Sequence, residues 1–316
     1  MIISFDERGL ALAVDTLRRG DLCAFPTETV YGLGARADQD AAVSSIYASK
    51  GRPRTNPSIV HTFDAEHAFC LAMDVAALAS RLAEAFWPGP LTLVVPARPG
   101  AVSDVATAGG STIALRVPRH PMAQALLRAV DLPIAAPSAN RSEHVSPTLA
   151  EHVERSLRGQ VLVLDGGSTG FGIESTIVRV HGDEMELLRR GSIAVEELET
   201  FGPLLDRAAK IEDVGAALPS PGLLRRHYAP AIPAQLSRGP FTDGRAAHLV
   251  FEGTQTPPNA PVVALGKDAA TYARGLYAAL YELEQAQGVT RIVIEEPPEL
   301  PAWAAVRDRL LRAVED

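Results

Sequence analysis

Leu22-Cys23-Ala24-Phe25, running straight into Pro26-Thr27-Glu28-Thr29, is the stretch on which the fold is read. The apolar run reads as a buried strand, and Leu10, Ala13, Val14 and Leu17 before it recur at helical spacing. Thr27, Glu28 and Thr29 then interrupt the strand at its C-terminal end, where open α/β sheets place their ligands. Working outward, Val43, Ile46 and Tyr47 predict a helix that delivers Lys50 at its C-terminal end. Ser58-Ile59-Val60-His61, Leu91-Thr92-Leu93-Val94-Val95 and Thr112-Ile113-Ala114-Leu115-Arg116-Val117 predict strands. So do Val161-Leu162-Val163-Leu164 and Ser175-Thr176-Ile177-Val178-Arg179-Val180. Pro121 and Pro147 stand where first helical positions are expected, the latter after Ser146 as N-cap. Helices alternating with strands over roughly two hundred residues predict one α/β domain around a large sheet.

The pattern fades where Pro219, Pro221, Gly222, Pro230 and Pro233 crowd together, which marks a connection. Within it, Leu223-Leu224-Arg225-Arg226-His227-Tyr228 is too apolar, aromatic and basic for an idle tether. Ala247-His248-Leu249-Val250-Phe251, Val262-Val263-Ala264-Leu265 and Arg291-Ile292-Val293-Ile294 read as further strands. Ala269, Ala273, Leu276, Leu280 and Leu283 mark one helix face, and Trp303, Val306, Leu310 and Val314 another. The expected organisation is a catalytic domain over 1–208, a linker over 209–236 that acts as a lid, and a small doubly wound α/β domain over 237–316.

Bulk properties narrow the function. The 316 residues are 47% hydrophobic and 22% charged, an ordinary globular composition. A formal charge of -8 argues against a surface given over to nucleic acid. Cys23 and Cys70 stand in apolar settings with no Cys-x-x-Cys pattern, so two buried thiols in a reducing cytoplasm are expected. Met1-Ile2-Ile3-Ser4-Phe5-Asp6-Glu7 shows no signal-peptide pattern, and no apolar run has the length of a membrane span.

Two segments carry the chemistry. Lys50-Gly51-Arg52-Pro53 places two cations one residue apart on a stiff turn, a point charge and a planar fork suited to a polyphosphate. Pro133-Ile134-Ala135-Ala136-Pro137 reads as a strand, and Ser138-Ala139-Asn140 supplies a hydroxyl and an amide at its end. Arg116 within an apolar strand requires an anion, either a core carboxylate or a ligand. Three motif matches fail. Gly32-Leu33-Gly34-Ala35-Arg36-Ala37 lacks the acid some twenty residues on that would hold a ribose. Gly166-Gly167-Ser168-Thr169-Gly170 precedes a strand, not the helix of a nucleophile elbow. Histidines do not fall at metal-ligand spacing, and no metal site is read.

The chain resembles the YrdC family of threonylcarbamoyl-adenylate synthases. The resemblance is carried in order by Pro26-Thr27-Glu28-Thr29-Val30-Tyr31-Gly32-Leu33-Gly34, Lys50-Gly51-Arg52-Pro53, Asn56-Pro57, His61 and Arg116-Val117-Pro118. Pro137-Ser138-Ala139-Asn140, Ser146-Pro147-Thr148, Ser175-Thr176-Ile177-Val178 and the connection from Pro221 to Pro230 continue it. It implies a large twisted mixed sheet with helices, plus a small Rossmann-like C-terminal α/β domain. It also implies synthesis of L-threonylcarbamoyladenylate from L-threonine, bicarbonate and ATP, with Mg²⁺ accompanying ATP and pyrophosphate released. The product would serve tRNA modification, with hand-over to a threonylcarbamoyl transferase, little or no direct RNA binding and no membrane. By this resemblance Lys50, Arg52, Ser138 and Asn140 are the catalytic set. ATP would also meet Asn56, Thr112, Ser146, Arg189, His227 and Tyr228. Threonine would meet Thr29, His61, Arg116, Ala136 and Ser175. Two other readings stand beside it: a double-stranded RNA or tRNA-binding module, and a carbamoyl-transfer module of the hydrogenase-maturation type.

Overall fold

The computed structural model describes residues 1–208 and 227–315. The first unit opens with β1 (Ile2–Ser4), α1 (Glu7–Arg18), β2 (Cys23–Pro26), β3 (Tyr31–Arg36) and α2 (Asp40–Lys50). It continues with β4 (Ile59–His61), α3 (Ala65–Phe69), α4 (Ala77–Phe86), β5 (Leu91–Pro96), β6 (Thr112–Arg116) and α5 (Pro121–Val130). It closes with β7 (Ile134–Ala135), α6 (Ala150–Ser156), β8 (Leu162–Asp165), β9 (Thr176–His181), β10 (Glu184–Arg189), α7 (Val195–Glu199) and β11 (Leu204–Asp206). These strands form one mixed sheet in the order β1-β8-β2-β3-β7-β4-β6-β5-β9-β10-β11. The second unit holds β12 (Ala234–Ser237), β13 (Ala247–Phe251), β14 (Val262–Leu265), α8 (Ala269–Leu283), β15 (Ile292–Glu295) and α9 (Ala304–Ala313). Its sheet, β12-β15-β13-β14, is parallel throughout, as the doubly wound reading expects.

Local chemistry explains the elements that matter to the site. Gly51 sits in the left-handed region at φ 63° and returns its N–H to Tyr47 and Ala48, which ends α2 just after Lys50. Pro121 opens α5 as the sequence predicts. Leu17 of α1 and Leu126 and Leu127 of α5 are fully buried in one apolar cluster with Phe25. Each contributes about 1.5–3 kcal/mol by burial. The Gly-x-Gly motif lies inside β3, not in a phosphate loop. A Cβ on Gly34 would stand 2.8 Å from the Phe25 ring, so the glycine leaves that ring room to lie against β3, the antiparallel neighbour of β2.

Three expectations need correction. Pro147 does not begin a helix: α6 starts at Ala150, and the Ser146 hydroxyl donates to Glu174 instead of capping. Cys23 is buried, which pushes its thiol up to about 12, but Cys70 is exposed at the end of α3. The strand β12 occupies residues assigned partly to the connection, because Ala234-Gln235-Leu236-Ser237 is a short edge strand with little apolar signal.

The two units share a core. Val30, Val145 and Ile173 of the first pack with Tyr228 and with Tyr272, Leu276 and Tyr277 of α8. The Tyr281 hydroxyl donates to the carbonyl of Val145, and Arg274 Nε to that of Gly170. Among the described residues no helix is long and apolar enough to cross a membrane.

Candidate active site

The parallel pair β4 and β6 sets His61 beside Arg116 at their C-terminal ends, and β7 brings Ile134 opposite His61. Together with the β2–β3 turn these ends enclose one cavity, lined by Thr29, Arg52, His61, Arg116, Ala136, Ser138, Arg189, His227 and Tyr228 among others. Thr27 also lines it, its hydroxyl 2.9 Å from that of Thr29. The space left is about 40 Å³, room for a few waters and not for a nucleotide.

The guanidiniums are held rigidly. Arg52 donates from Nε to the Asn56 carbonyl and from Nη2 to Asn56 Oδ1 and the Pro57 carbonyl. Arg116 donates from Nε to the Gly89 carbonyl and from Nη2 to Glu28 Oε1 at 2.7 Å. Arg189 directs Nε to the Ser175 carbonyl and Nη2 to its hydroxyl, both at 3.0 Å. In each case Nη1 has no hydrogen-bond partner among the described residues. Three oriented forks with a free donor edge thus border one cavity, an arrangement made for a polyanion.

Arg116 therefore has its core carboxylate. Glu28 also accepts from the backbone N–H of Arg119 and His120. Burial raises the Glu28 pKa, and the Arg116 charge with these hydrogen bonds more than reverses it. Glu174, the only acid lining the cavity among the described residues, is likewise saturated. Ser146 donates to it at 2.5 Å, Arg309 at 2.8 Å, and Tyr277 to both oxygens. Burial works upward on Glu174, yet Arg309, Arg189 and these donors hold it at about 2. It is no general base. Burial, with Arg116 adding to it, pushes His61 down to about 3, so its ring is neutral.

Lys50 lies one step behind the wall. It is buried, and Nζ donates to the carbonyls of Ser138 (2.5 Å) and Asn140 and to Asn140 Oδ1 at 3.3 Å. The sequence places Lys50 in the cleft beside Arg52; here it ties the Ser138–Asn140 turn instead. Burial, then the Arg52 charge, lowers its pKa, against three oxygens that favour the ammonium. Asn140 turns its amide to the carbonyls of Arg141 and His144. Asn56, Ser146 and Ser175 likewise reach the cavity through Arg52, Glu174 and Arg189. Thr112 stands apart, at the opposite end of β6 from Arg116, about 13 Å along the strand.

Buried polar atoms without a partner among the described residues include Asn56 Nδ2, His61 Nδ1, His227 Nδ1 and the Tyr228 hydroxyl. Of these, His61, His227 and Tyr228 line the cavity, and buried polar atoms are ordinarily hydrogen-bonded. Leu223, Leu224, Arg225 and Arg226 of the expected lid lie outside the described residues. Sequence reasoning missed Glu174, Arg309 and Tyr277, whose meeting requires the packing of the second unit on the first.

Comparison with known proteins identifies the family. A family model of the Sua5, YciO and YrdC proteins, described as "Telomere recombination", matches residues 15–191. A second, described as "Threonylcarbamoyl-AMP synthase, C-terminal domain", matches residues 193–314. Fold and site define a nucleotidyltransferase-type enzyme of the YrdC class. The chain belongs to the family of two-domain threonylcarbamoyl-AMP synthases. The threonylcarbamoyl-AMP synthase of Bacillus subtilis is 39% identical over 98% of this chain and 94% of its own length. That of Pyrococcus abyssi is 36% identical over 98% and 94%. A crystal structure of P. abyssi Sua5 complexed with L-threonine matches with a TM-score of 0.90 and 35% identity, covering 99% of this chain and 97% of that one.

Proposed function

We propose that the chain makes L-threonylcarbamoyladenylate from L-threonine, bicarbonate and ATP and releases pyrophosphate. The observation that carries this is the convergence of Arg52, Arg116 and Arg189, each with Nη1 outside the hydrogen bonds made among the described residues, on a cavity that His61, His227 and Tyr228 also line. Threonine's amine condenses with bicarbonate to a carbamate, losing water. A carbamate oxygen then attacks the α-phosphate of ATP in line, and pyrophosphate leaves. The reaction needs several anions held together and water kept out, more than a protein acid or base. A saturated Glu174 and a neutral His61 suit that demand.

Arg52 with Ser138 would hold the triphosphate, and Lys50 would fix the Ser138–Asn140 turn against it. Arg116 would take the threonine carboxylate, with Thr29, His61, Ala136 and Ser175 around the amino acid. The L-threonine bound to P. abyssi Sua5 supports an amino-acid pocket of this kind. Asn56, Ser146 and Arg189 would orient the nucleotide, and Thr112 would be met only by its far end. Mg²⁺ would arrive on the phosphates. No cluster of His, Cys, Asp or Glu suited to a metal occurs among the described residues, and Glu174 has no acceptor to spare.

His227 and Tyr228 would open to admit ATP and close again, so that the connection serves as a lid between a catalytic domain (1–208) and a small domain (237–316). Hand-over to a tRNA-modifying transferase in the cytoplasm completes the proposal. Exchange of radiolabelled pyrophosphate into ATP tests it, because only α-phosphate attack is read by that reverse reaction. Exchange that requires both threonine and bicarbonate is expected. Exchange indifferent to them, or absent while phosphate is released, refutes the reading.

A further inference from the structure

We propose that Arg309 is a positioning residue through which the C-terminal domain holds two walls of the catalytic cavity; this rests on the function proposed above. Arg309 is fully buried on α9, and its whole fork is engaged. Nε donates to Glu174 Oε2 at 2.8 Å, Nη2 to the Arg190 carbonyl at 2.7 Å and Nη1 to Asp308 Oδ2 at 2.7 Å. Its guanidinium carbon lies 5.1 Å from the centre of the Tyr228 ring. Glu174 immediately precedes Ser175, and Arg190 immediately follows Arg189. Ser175 and Arg189 are themselves joined by two hydrogen bonds. One side chain of the second domain thus grips the start of β9, the end of β10 and the aromatic ring that closes the cavity.

The grip works through charge as well as shape. Glu174 orders the Ser146 hydroxyl, and it can do so only while ionised or correctly oriented. Facing it are Arg309 on α9, Arg189 on β10, Tyr277 on α8, Ser146, and His227 and Tyr228. Asp308 faces Arg309 from its own helix and is shared with Arg312. Of these, Arg309 is the cation in direct contact with the carboxylate. Without it Glu174 would be buried beside the more remote Arg189 and would take up a proton more readily. The carboxyl would then compete with Ser146 and Tyr277 as a donor, and the Ser175–Arg189 wall would lose its outer support.

An interdomain ion pair that merely joins two domains would affect melting and little else, so the test combines kinetics with a pH profile. Arg309→Met, Arg309→Lys, Glu174→Gln and Arg309→Met/Glu174→Gln are assayed for pyrophosphate release and for melting. Arg309→Met should lower kcat/KM for threonine and ATP by about 100-fold, the scale of a misplaced wall remote from the reacting atoms. Its profile should gain an acid limb between about pH 8 and pH 5, absent from the parent. The double variant should recover melting temperature and lose that limb, since Gln takes no proton, yet remain catalytically impaired. Arg309→Lys should keep Glu174 ionised and lie between. Parent-like kcat/KM in the double variant, or an Arg309→Met loss of under about twofold with no acid limb, would overturn the proposal. Should Arg309→Met fail to fold, the double variant alone decides. If the parent itself releases no threonine-dependent pyrophosphate, the functional reading fails, and ATP affinity measured by calorimetry across the same variants still reads the grip of Arg309.

Discussion

At the scale of single residues, Arg52 and Lys50 look alike in sequence and differ in place. Arg52 borders the cavity with a free donor edge, so Arg52→Ala should cut pyrophosphate formation by about 100-fold or more, and it should also destabilise by about 1–3 kcal/mol because it strands the Asn56 and Pro57 oxygens. Lys50 binds three oxygens behind the wall. Lys50→Ala should therefore lower activity and also destabilise, by about 1–3 kcal/mol for the buried acceptors it strands. Equal, unchanged melting of both variants would contradict the placement. Arg116 forms a third case. Arg116→Ala leaves Glu28 buried and unpaired and should cost roughly 3–5 kcal/mol. Adding Glu28→Gln should restore much of the melting temperature while the demand for threonine stays raised. Recovery of threonine use in the double variant would show that Arg116 serves Glu28 alone.

At the scale of elements, the strands and the turn that present the site were legible. Phe25 ahead of Thr27, Glu28 and Thr29 marked a strand end, and Val43, Ile46 and Tyr47 marked a helix that delivers Lys50. The partners behind the wall were not. Glu28 as the counter-ion of Arg116 depends on a contact between residues 88 apart in sequence, and no local pattern announces it. The start of α6 was not legible either, because Ser146-Pro147 mimics a helix start while the Ser146 hydroxyl answers to Glu174. The segment His227-Tyr228 yields a signed prediction. The Tyr228 hydroxyl is buried without a partner, so Tyr228→Phe should leave the ligand-free protein as stable or slightly more so. The same change should reduce the melting-temperature rise given by ATP and threonine together. An undiminished rise would mean that the hydroxyl meets no ligand.

At the scale of the whole molecule, the division into two sheets was readable from periodicity, but the tight joint between them was not. Tyr272, Leu276 and Tyr277 look like an ordinary helix face until Val30, Val145 and Ile173 are seen beneath them. Buried histidines give the molecule a pH signature. His61 is held at about 3, below its unfolded value near 6.5, so the folded state takes up fewer protons. Its contribution to stability is complete above about pH 6.5 and falls by about 1.4 kcal/mol per pH unit below it. His152, held at about 4, and His227 shift the same way. Melting temperature should thus drop as pH falls from 7 toward 5, and His61→Gln should flatten the slope. A melting temperature constant over that range would contradict neutral buried rings. The most direct measurement is pyrophosphate release by the intact chain with threonine, bicarbonate and ATP each left out in turn. The account predicts release only when all three are present; release that persists without threonine or without bicarbonate would contradict it.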